Sequence, residues 1–135
     1  MALIDSNVLL DLLTGDPVWE DWSAQALANT QAASSLIIND IVYAELATRF
    51  EAVEALDGFV TDAGLQMLPI PRAALFMASK VHALYRRAGG VRAGVLPDFF
   101  IGAHAAVLDL PIVTRDSGRY RTYFPTVELI TPKMN

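Results

Sequence analysis

Four carboxylates of this chain stand at positions where an uncharged residue would be expected. Asp5 ends the apolar opening segment, and Glu45 lies inside a helix-like apolar run. Asp98 precedes another apolar run, and Asp116 follows a strand-like segment by two residues. A nearly buried carboxylate is costly unless it is paired or bound to a cation. Four such acids from distant parts of one small chain indicate a metal site.

Carboxylate oxygens suit a hard cation, so Mg²⁺ or Mn²⁺ is the expected metal. Ligands of open parallel sheets bind beyond the carboxyl ends of the strands, where Asp5 and Asp116 are predicted to lie. Glu45 is predicted to point inward from its helix, at an edge of the sheet. Each acid also has a structural interpretation: Asp98 as a helix cap, Asp116 as a turn residue, Glu45 as an exposed helical glutamate. Asp5 is the hardest to explain in that way.

Length and composition indicate a globular protein that forms a single domain over residues 1–135. The chain has 135 residues, of which 53% are hydrophobic and 19% charged, which is far from the composition of disordered proteins. It has no cysteine, which excludes disulfides, thiolate metal sites and a cysteine nucleophile. The opening segment does not resemble a signal peptide, and the apolar stretches are too short to span a bilayer. We therefore expect a cytoplasmic protein without a membrane segment.

The charges are divided unevenly along the chain. The net charge is −5, but residues 1–71 hold eleven acids and one base, whereas residues 72–135 hold nine bases and four acids. A net negative charge argues weakly against binding of nucleic acid. The basic second half softens that argument, because it could meet an anion while the first half meets a basic partner. The alternative is that these charges are ordinary solvated helix faces.

The order of elements predicts an α/β fold with a parallel sheet covered on both faces. Helix periodicity, caps and Pro or Gly boundaries divide the chain into alternating elements. The predicted strands are 2–5, 34–38, 66–68, 111–114 and 126–130. The predicted helices are 7–13, 18–31, 39–50, 51–63, 72–87 and 97–108, with a flexible basic loop over 89–96.

Four segments of the chain form an ordered set that spans nearly its whole length. They are Leu3-Ile-Asp5-Ser-Asn7-Val-Leu-Leu-Asp11, Asn39-Asp-Ile-Val-Tyr-Ala-Glu45-Leu, Pro97-Asp98-Phe-Phe-Ile-Gly-Ala-His-Ala and Val113-Thr114-Arg115-Asp116-Ser-Gly-Arg119-Tyr. Each segment is weak by itself, but together they resemble those of PIN-domain ribonucleases, and most closely the VapC-like toxins of type II toxin–antitoxin (VapBC) systems. The middle residue of the first motif is serine where the family often has threonine.

The resemblance implies a PIN-like (Rossmann-like) central parallel β-sheet of about five strands flanked by α-helices. It also implies an endoribonuclease that depends on Mg²⁺ or Mn²⁺. The acids Asp5, Glu45, Asp98 and Asp116 would gather around the metal as catalytic residues. The metal would lower the pKa of a bound water and stabilise charge on the scissile phosphate. Asp116 is the ligand that could reach the metal only through water.

Other side chains of the matching segments are expected to support this site. Asn7 and Thr114 would orient the carboxylates by hydrogen bonds. Arg115 and Arg119 flank Asp116 and are candidates to hold RNA phosphates, with Arg86, Arg87 and Arg92 as a rim. For Arg115 the alternative is a salt bridge to one of the site acids.

The resemblance further implies protein partners. A cognate VapB-like antitoxin would lie across the site and offer an arginine to the acids, and the acid-rich first half suits a basic partner segment. The protein would form a homodimer, with residues 7–31 and 39–63 as the contact surface.

Two other functions remain open at this point. The first is a PIN fold that binds nucleic acid or a protein without cutting, although such a module has no need of all four acids. The second is another metal-dependent phosphoryl-transfer enzyme on the same sheet, because a fold alone does not determine the substrate.

Overall fold

A parallel five-stranded sheet forms the centre of the computed structural model, which describes residues 1–91 and 94–132. Its strands are β1 (Ala2–Ile4), β2 (Leu36–Ile38), β3 (Leu65–Met67), β4 (Ile112–Val113) and β5 (Leu129–Ile130). In this described part seven helices flank the sheet, and none of them is long and apolar enough to cross a membrane. They are α1 (Ser6–Thr14), α2 (Glu20–Ala33), α3 (Asp40–Ala47), α4 (Val53–Asp62), α5 (Arg72–Arg87), α6 (Leu96–Leu108) and α7 (Gly118–Tyr123). The predicted α/β fold is confirmed.

The strand order is β3-β2-β1-β4-β5, and all four pairings are parallel. From β1 the chain moves outward in one direction through β2 to β3. It then returns through α5 and α6 to β4, on the other side of β1. The order of connections therefore reverses beside β1, and a crevice opens at such a switch point beyond the carboxyl ends of the strands. Asp5 directly follows β1, so the topology places it at this crevice.

The predicted element bounds differ from the observed ones by a few residues, apart from α5, whose bounds were predicted correctly. Strand β5 is shorter than the predicted 126–130, and residues 92–93 of the predicted loop lie outside the described residues. Helix α7 was not predicted from the sequence. The segment Gly118-Arg-Tyr-Arg-Thr-Tyr123 is too short to carry more than a weak helical pattern and begins with glycine, a poor helix former. Its helical form depends on packing, since Tyr120 is buried in the core.

A buried polar contact fixes helix α3 against helix α6. Asn39 stands at the N-cap position of α3, where its side chain accepts a hydrogen bond from the Val42 backbone N–H at 3.0 Å. Its amide nitrogen also lies 3.0 Å from Nδ1 of His104 on α6. An amide nitrogen only donates, so Nδ1 accepts and the ring proton lies on Nε2. One residue thus joins the helix that carries Glu45 to the helix that carries Asp98.

Gly102 allows the chain after α7 to approach helix α6. A Cβ atom at position 102 would lie 2.9 Å from Cγ of Phe124 and closer still to two other carbons of that ring. Phe124 is buried and cannot easily move away. Phe124 directly follows α7, the helix that carries Arg119 and Tyr120, so the close approach holds the end of this helix against α6.

We expect Gly102→Ala to lower the free energy of unfolding by about 2 kcal/mol, because the added methyl group overpacks a filled core. The matched control is Gly58→Ala in helix α4, where a Cβ would meet no atom within 4 Å. That substitution should raise stability by about 0.5–1 kcal/mol through helix propensity. Urea denaturation of both variants measures the difference. Equal effects of the two substitutions would contradict the close approach.

Candidate metal and nuclease site

Asp5 lies at the centre of the site, and three polar side chains reach one of its carboxylate oxygens. It follows β1, stands at the N-cap position of α1 and is only 5% exposed. Its Oδ2 accepts hydrogen bonds from the hydroxyls of Thr114 and Tyr120, each at 2.9 Å, and from the amide of Asn7 at 3.4 Å. A carboxylate held by three donors has a fixed orientation.

The register of the sheet explains why these side chains meet. Ile4 of β1 pairs with Val113 of β4, so the residues that follow each strand, Asp5 and Thr114, are neighbours. The amide of Asn7 also donates to Thr114 Oγ1 at 3.2 Å, while its carbonyl oxygen accepts from the Arg115 backbone N–H at 3.3 Å. Asn7 and Thr114 therefore lie where the sequence analysis expected supporting residues.

The surroundings of Asp5 make its charged form unfavourable. Burial is the main cause and raises the pKa of Asp5 from 3.8 to about 6. The Tyr120 and Thr114 hydroxyls oppose this shift, whereas the negative charges of Asp98 and Glu45 add to it. Burial, together with the negative charge of Asp5, raises the pKa of Tyr120 well above its ordinary value. Three carboxylates from three separate elements thus act on one another at the end of β1.

Glu45 and Asp98 reach the site from helices α3 and α6. Glu45 is half-buried, and its Oε1 accepts a hydrogen bond from Ser6 Oγ at 3.1 Å. Burial raises the pKa of Glu45, the Ser6 hydroxyl lowers it, and the charge of Asp98 raises it further. The prediction that Glu45 points inward is consistent with this placement.

Asp116 differs from the other three acids because its side chain is exposed at the edge of the site. Its backbone N–H donates to Thr114 Oγ1 at 3.1 Å, so the main chain is held beside Thr114. The structure brings Asp5, Glu45 and Asp98 into mutual electrostatic contact and leaves Asp116 at the rim. The role of Asp116 as a metal ligand stays a prediction.

The two arginines that flank Asp116 both contact acids of this chain. Arg119 on α7 forms an ion pair with Asp98. Arg115 Nε pairs with Asp11 Oδ2 at 2.8 Å, and its guanidinium lies 5.6 Å from the centre of the Trp19 ring. The acid that pairs with Arg115 is thus none of the four proposed ligands. That both arginines hold RNA phosphates stays a prediction.

Of the predicted basic rim, Arg86 and Arg87 are exposed at the C-terminal end of α5, whereas Arg92 lies outside the described residues.

Two site residues were missed by the sequence analysis. Ser6 looks like an ordinary residue between Asp5 and Asn7, and nothing in the sequence shows its contact with Glu45. Tyr120 had a weak signal, since Tyr120, Tyr123 and Phe124 follow helical spacing at i, i+3 and i+4. A buried tyrosine usually directs its hydroxyl to a polar partner, and here that partner is Asp5.

The donor set suits a hard divalent cation, because the converging side chains are carboxylates whose repulsion a cation would relieve. As the side chains stand, no three Asp, Glu or His residues within 1–91 and 94–132 are close enough to hold one ion together. The Arg119 guanidinium instead provides the positive charge at Asp98. Binding of a metal ion by Asp98 would therefore require that its ion pair with Arg119 open or shift.

Comparisons with known proteins agree with this architecture. The structure is similar to VapBC2 from Rickettsia felis, solved bound to a DNA fragment from its promoter, with 17% identity, 98% coverage of both chains and a TM-score of 0.74. It is also similar to a toxin–antitoxin complex from Klebsiella pneumoniae, with 22% identity, 98% coverage of both chains and a TM-score of 0.69.

A third similar structure is VapBC-1 from nontypeable Haemophilus influenzae, with 16% identity, 96% coverage of both chains and a TM-score of 0.71. A search of curated proteins finds no significant match. The family model for the PIN domain matches residues 2–125. Because that match covers most of the chain, the protein belongs to the PIN domain family.

Proposed function

We propose that the protein is an endoribonuclease that cleaves RNA phosphodiester bonds with Mg²⁺ or Mn²⁺. The observation that carries the proposal is the convergence of Asp5, Glu45 and Asp98 at the switch point of the sheet, with their charges acting on one another. A fold has no structural need for three interacting carboxylates in one crevice, and their repulsion lowers stability. A site that binds a cation would account for the three acids lying together.

Asp5, Glu45 and Asp98 would hold the metal, with Asp116 at the rim as the weakest ligand. The bound metal would supply an activated water and stabilise charge on the phosphate. Thr114, Asn7 and Tyr120 keep Asp5 in one orientation by gathering on Oδ2, which leaves Oδ1 for the cation. Ser6 does the same for Glu45. Arg119 lies beside these acids and would hold the RNA phosphate once Asp98 binds metal.

The partners belong to the same proposal. The similar solved structures include VapBC and toxin–antitoxin complexes, which supports a VapC-like toxin in the cytoplasm that a VapB-like antitoxin inhibits. The contact between Arg119 and Asp98 shows that a guanidinium fits among these acids. An arginine of an antitoxin would find the same complementary charge. We also propose a homodimer through residues 7–31 and 39–63.

The test is cleavage of single-stranded RNA by the purified protein with Mn²⁺, with Mg²⁺ and with EDTA. We expect cleavage with either metal, none with EDTA, and a loss of at least about 100-fold in the Glu45→Gln variant. Cleavage that persists in EDTA or in that variant would remove the assigned site.

The alternative function, a PIN fold that binds without cutting, gains support from one observation. Asp98 is already paired with Arg119, so the acids do not form a ready metal site. Calorimetric titration with Mn²⁺ separates the two functions. Absence of divalent-cation binding at millimolar concentration favours the non-cleaving module.

We expect Arg119→Gln to bind Mn²⁺ about fivefold more tightly than the wild type, because the cation no longer competes with an ion pair worth ~1 kcal/mol. The same variant should show a higher KM for RNA, since a candidate phosphate contact is lost. Calorimetry and steady-state cleavage measure the two effects. Arg121→Gln, an exposed arginine on the same helix, is the matched control and should change neither. Weaker metal binding by Arg119→Gln would contradict the competition.

A further inference from the structure

The outer face of helix α5 alternates basic and apolar side chains. Ala74 and Ala78 are buried on the inner face of the helix. The outer face carries a row of five exposed residues that begins at Arg72 and follows helical spacing, each residue three or four positions after the one before. Phe76 is 67% exposed and Leu84 is 51% exposed, so two large apolar side chains stand in solvent between the bases of this row. We call this row the α5 stripe: Arg72, Phe76, Lys80, Leu84 and Arg87.

The α5 stripe lies in the part of the chain that contains no acid. Residues 63–97 hold no Asp or Glu, although the protein as a whole has a net charge of −5. In the described part of the chain, the two ion pairs belong to Arg115 and Arg119. The three bases of the stripe therefore have no carboxylate partner there. Lys80 Nζ instead lies 5.0 Å from the centre of the Phe76 ring.

The C-terminal end of the stripe lies near the proposed site. Tyr85 of α5 packs against Phe99 of α6 and against Tyr123 of α7, with ring centroids 5.5 and 5.9 Å apart. Phe99 is the neighbour of Asp98, and Tyr123 belongs to the helix that carries Arg119. The basic end of α5 thus packs on α6 and α7, the two helices that contribute the ion pair between Asp98 and Arg119.

We infer that the α5 stripe binds single-stranded RNA and guides it to the acidic site. The inference rests on the proposed nuclease function and names the form of RNA that the protein takes. The bases of the stripe would contact phosphates, while Phe76 and Leu84 would receive unpaired nucleobases. At about 1.5 Å per residue the stripe extends over roughly 22 Å, enough for several nucleotides. A duplex hides its bases and leaves the apolar side chains without a partner.

A second copy of this chain fits the stripe less well than RNA does. Pairing of α5 with its own copy would bring the bases of the two stripes together, and no acid between residues 63 and 97 could compensate. A single strand of RNA matches both the positive charge of the stripe and its alternation of basic and apolar side chains. Self-association through the stripe is an outcome that the test below can detect.

The binding test uses the full-length protein in EDTA, where the proposed cleavage cannot proceed. Fluorescence anisotropy follows a short labelled oligouridylate and its duplex with oligoadenylate over a range of KCl concentrations. We expect the wild type to prefer the single strand. Arg72→Gln combined with Lys80→Gln should reduce the magnitude of the log–log salt slope by about 1.4, since each phosphate contact contributes about 0.7. Phe76→Ala should weaken binding about tenfold, corresponding to ~1.4 kcal/mol of lost stacking.

The matched control is Arg49→Gln, which removes an exposed base far from the stripe in sequence. It should leave the salt slope unchanged. Equal slopes for the wild type and the Arg72/Lys80 variant would overturn the inference, and so would a preference for the duplex. A dimer by light scattering that Phe76→Ala converts to a monomer would assign the stripe to a second copy instead.

A cleavage test separates this inference from the proposed function. With Mn²⁺, the Arg72/Lys80 variant should cleave a long single strand with a kcat/KM about tenfold lower. It should cleave a dinucleotide as well as the wild type does, because a dinucleotide at the site is too short to extend along α5 as far as Lys80 and Arg72. Equal loss on both substrates would overturn the guiding role. If the wild type cuts no RNA, the proposed function fails, and the binding test in EDTA still decides whether the stripe binds RNA.

Discussion

Replacement of Asp5 by asparagine is expected to reduce the rate of RNA cleavage by about 10³-fold and at the same time to stabilise the metal-free protein. Both effects follow from the same property of the side chain. Asparagine lacks the negative charge that the proposed cation needs. Its carbonyl oxygen can still accept the hydroxyls of Thr114 and Tyr120, and its amide no longer repels Asp98 and Glu45.

The expected gain in stability has a definite dependence on pH. The pKa of Asp5 is 3.8 unperturbed and about 6 in the folded protein, so the folded state holds its proton more tightly than the unfolded state. The stabilisation of the fold by protonated Asp5 is fully present below about pH 4 and is lost as the pH rises through about 6. At one pKa unit per ~1.4 kcal/mol, ionised Asp5 destabilises the metal-free fold by up to about 3 kcal/mol at pH 7.

Urea denaturation in EDTA from pH 4 to pH 7 checks this expectation. The difference in unfolding free energy between the wild type and Asp5→Asn should grow with pH in favour of the variant, because titrating groups away from Asp5 contribute equally to both proteins. Addition of Mn²⁺ should stabilise the wild type and leave the variant nearly unchanged. A variant that loses stability at pH 7, or that still cuts RNA, would contradict the assignment of Asp5.

Replacement of Asp11 by alanine is expected to lower the free energy of unfolding by about 3 kcal/mol. Asp11 is only 2% exposed and accepts hydrogen bonds from Ser23 Oγ and from Arg115 Nε, both at 2.8 Å. Its loss leaves a fully buried serine hydroxyl unpaired. It also leaves Arg115 beside Trp19 without its anion.

The Asp11–Arg115 pair joins α1 to the segment that follows β4, so its loss should also reduce RNA cleavage by displacing Asp116. Chemical denaturation of Asp11→Ala, Arg115→Met and the double variant measures the coupling, which we expect to be about 1–2 kcal/mol. Asp21→Ala, an exposed acid on α2, is the control and should change stability by less than about 0.5 kcal/mol. Additive single effects would show that the pair contributes nothing to stability.

The sequence predicted most of the fold because its signals are local. Apolar runs bounded by Pro and Gly marked the strands, and helix periodicity with flanking breakers gave α5 its correct bounds. Helix α7 was missed because six residues carry too little periodicity. It is held by packing instead: Tyr120 is buried in the core, and the ring of the next residue after the helix, Phe124, lies against Gly102 of α6. Sequence patterns report the preference of a segment and not the surface against which it packs.

The sequence by itself determined the fold class and the residue types of the site. Carboxylates at a strand end, in a helix interior and at a helix start are unusual enough to be noticed one at a time. Only the tertiary structure decided which side chains these acids contact. The pairing of Ile4 with Val113 places Thr114 beside Asp5. Helix α7 brings Tyr120 to Asp5 and Arg119 to Asp98. It also showed that Arg115 pairs with Asp11, outside the four proposed ligands. These contacts join residues between 21 and 115 positions apart in the sequence. Contacts at such separations are set by strand register and helix packing, which no local pattern records.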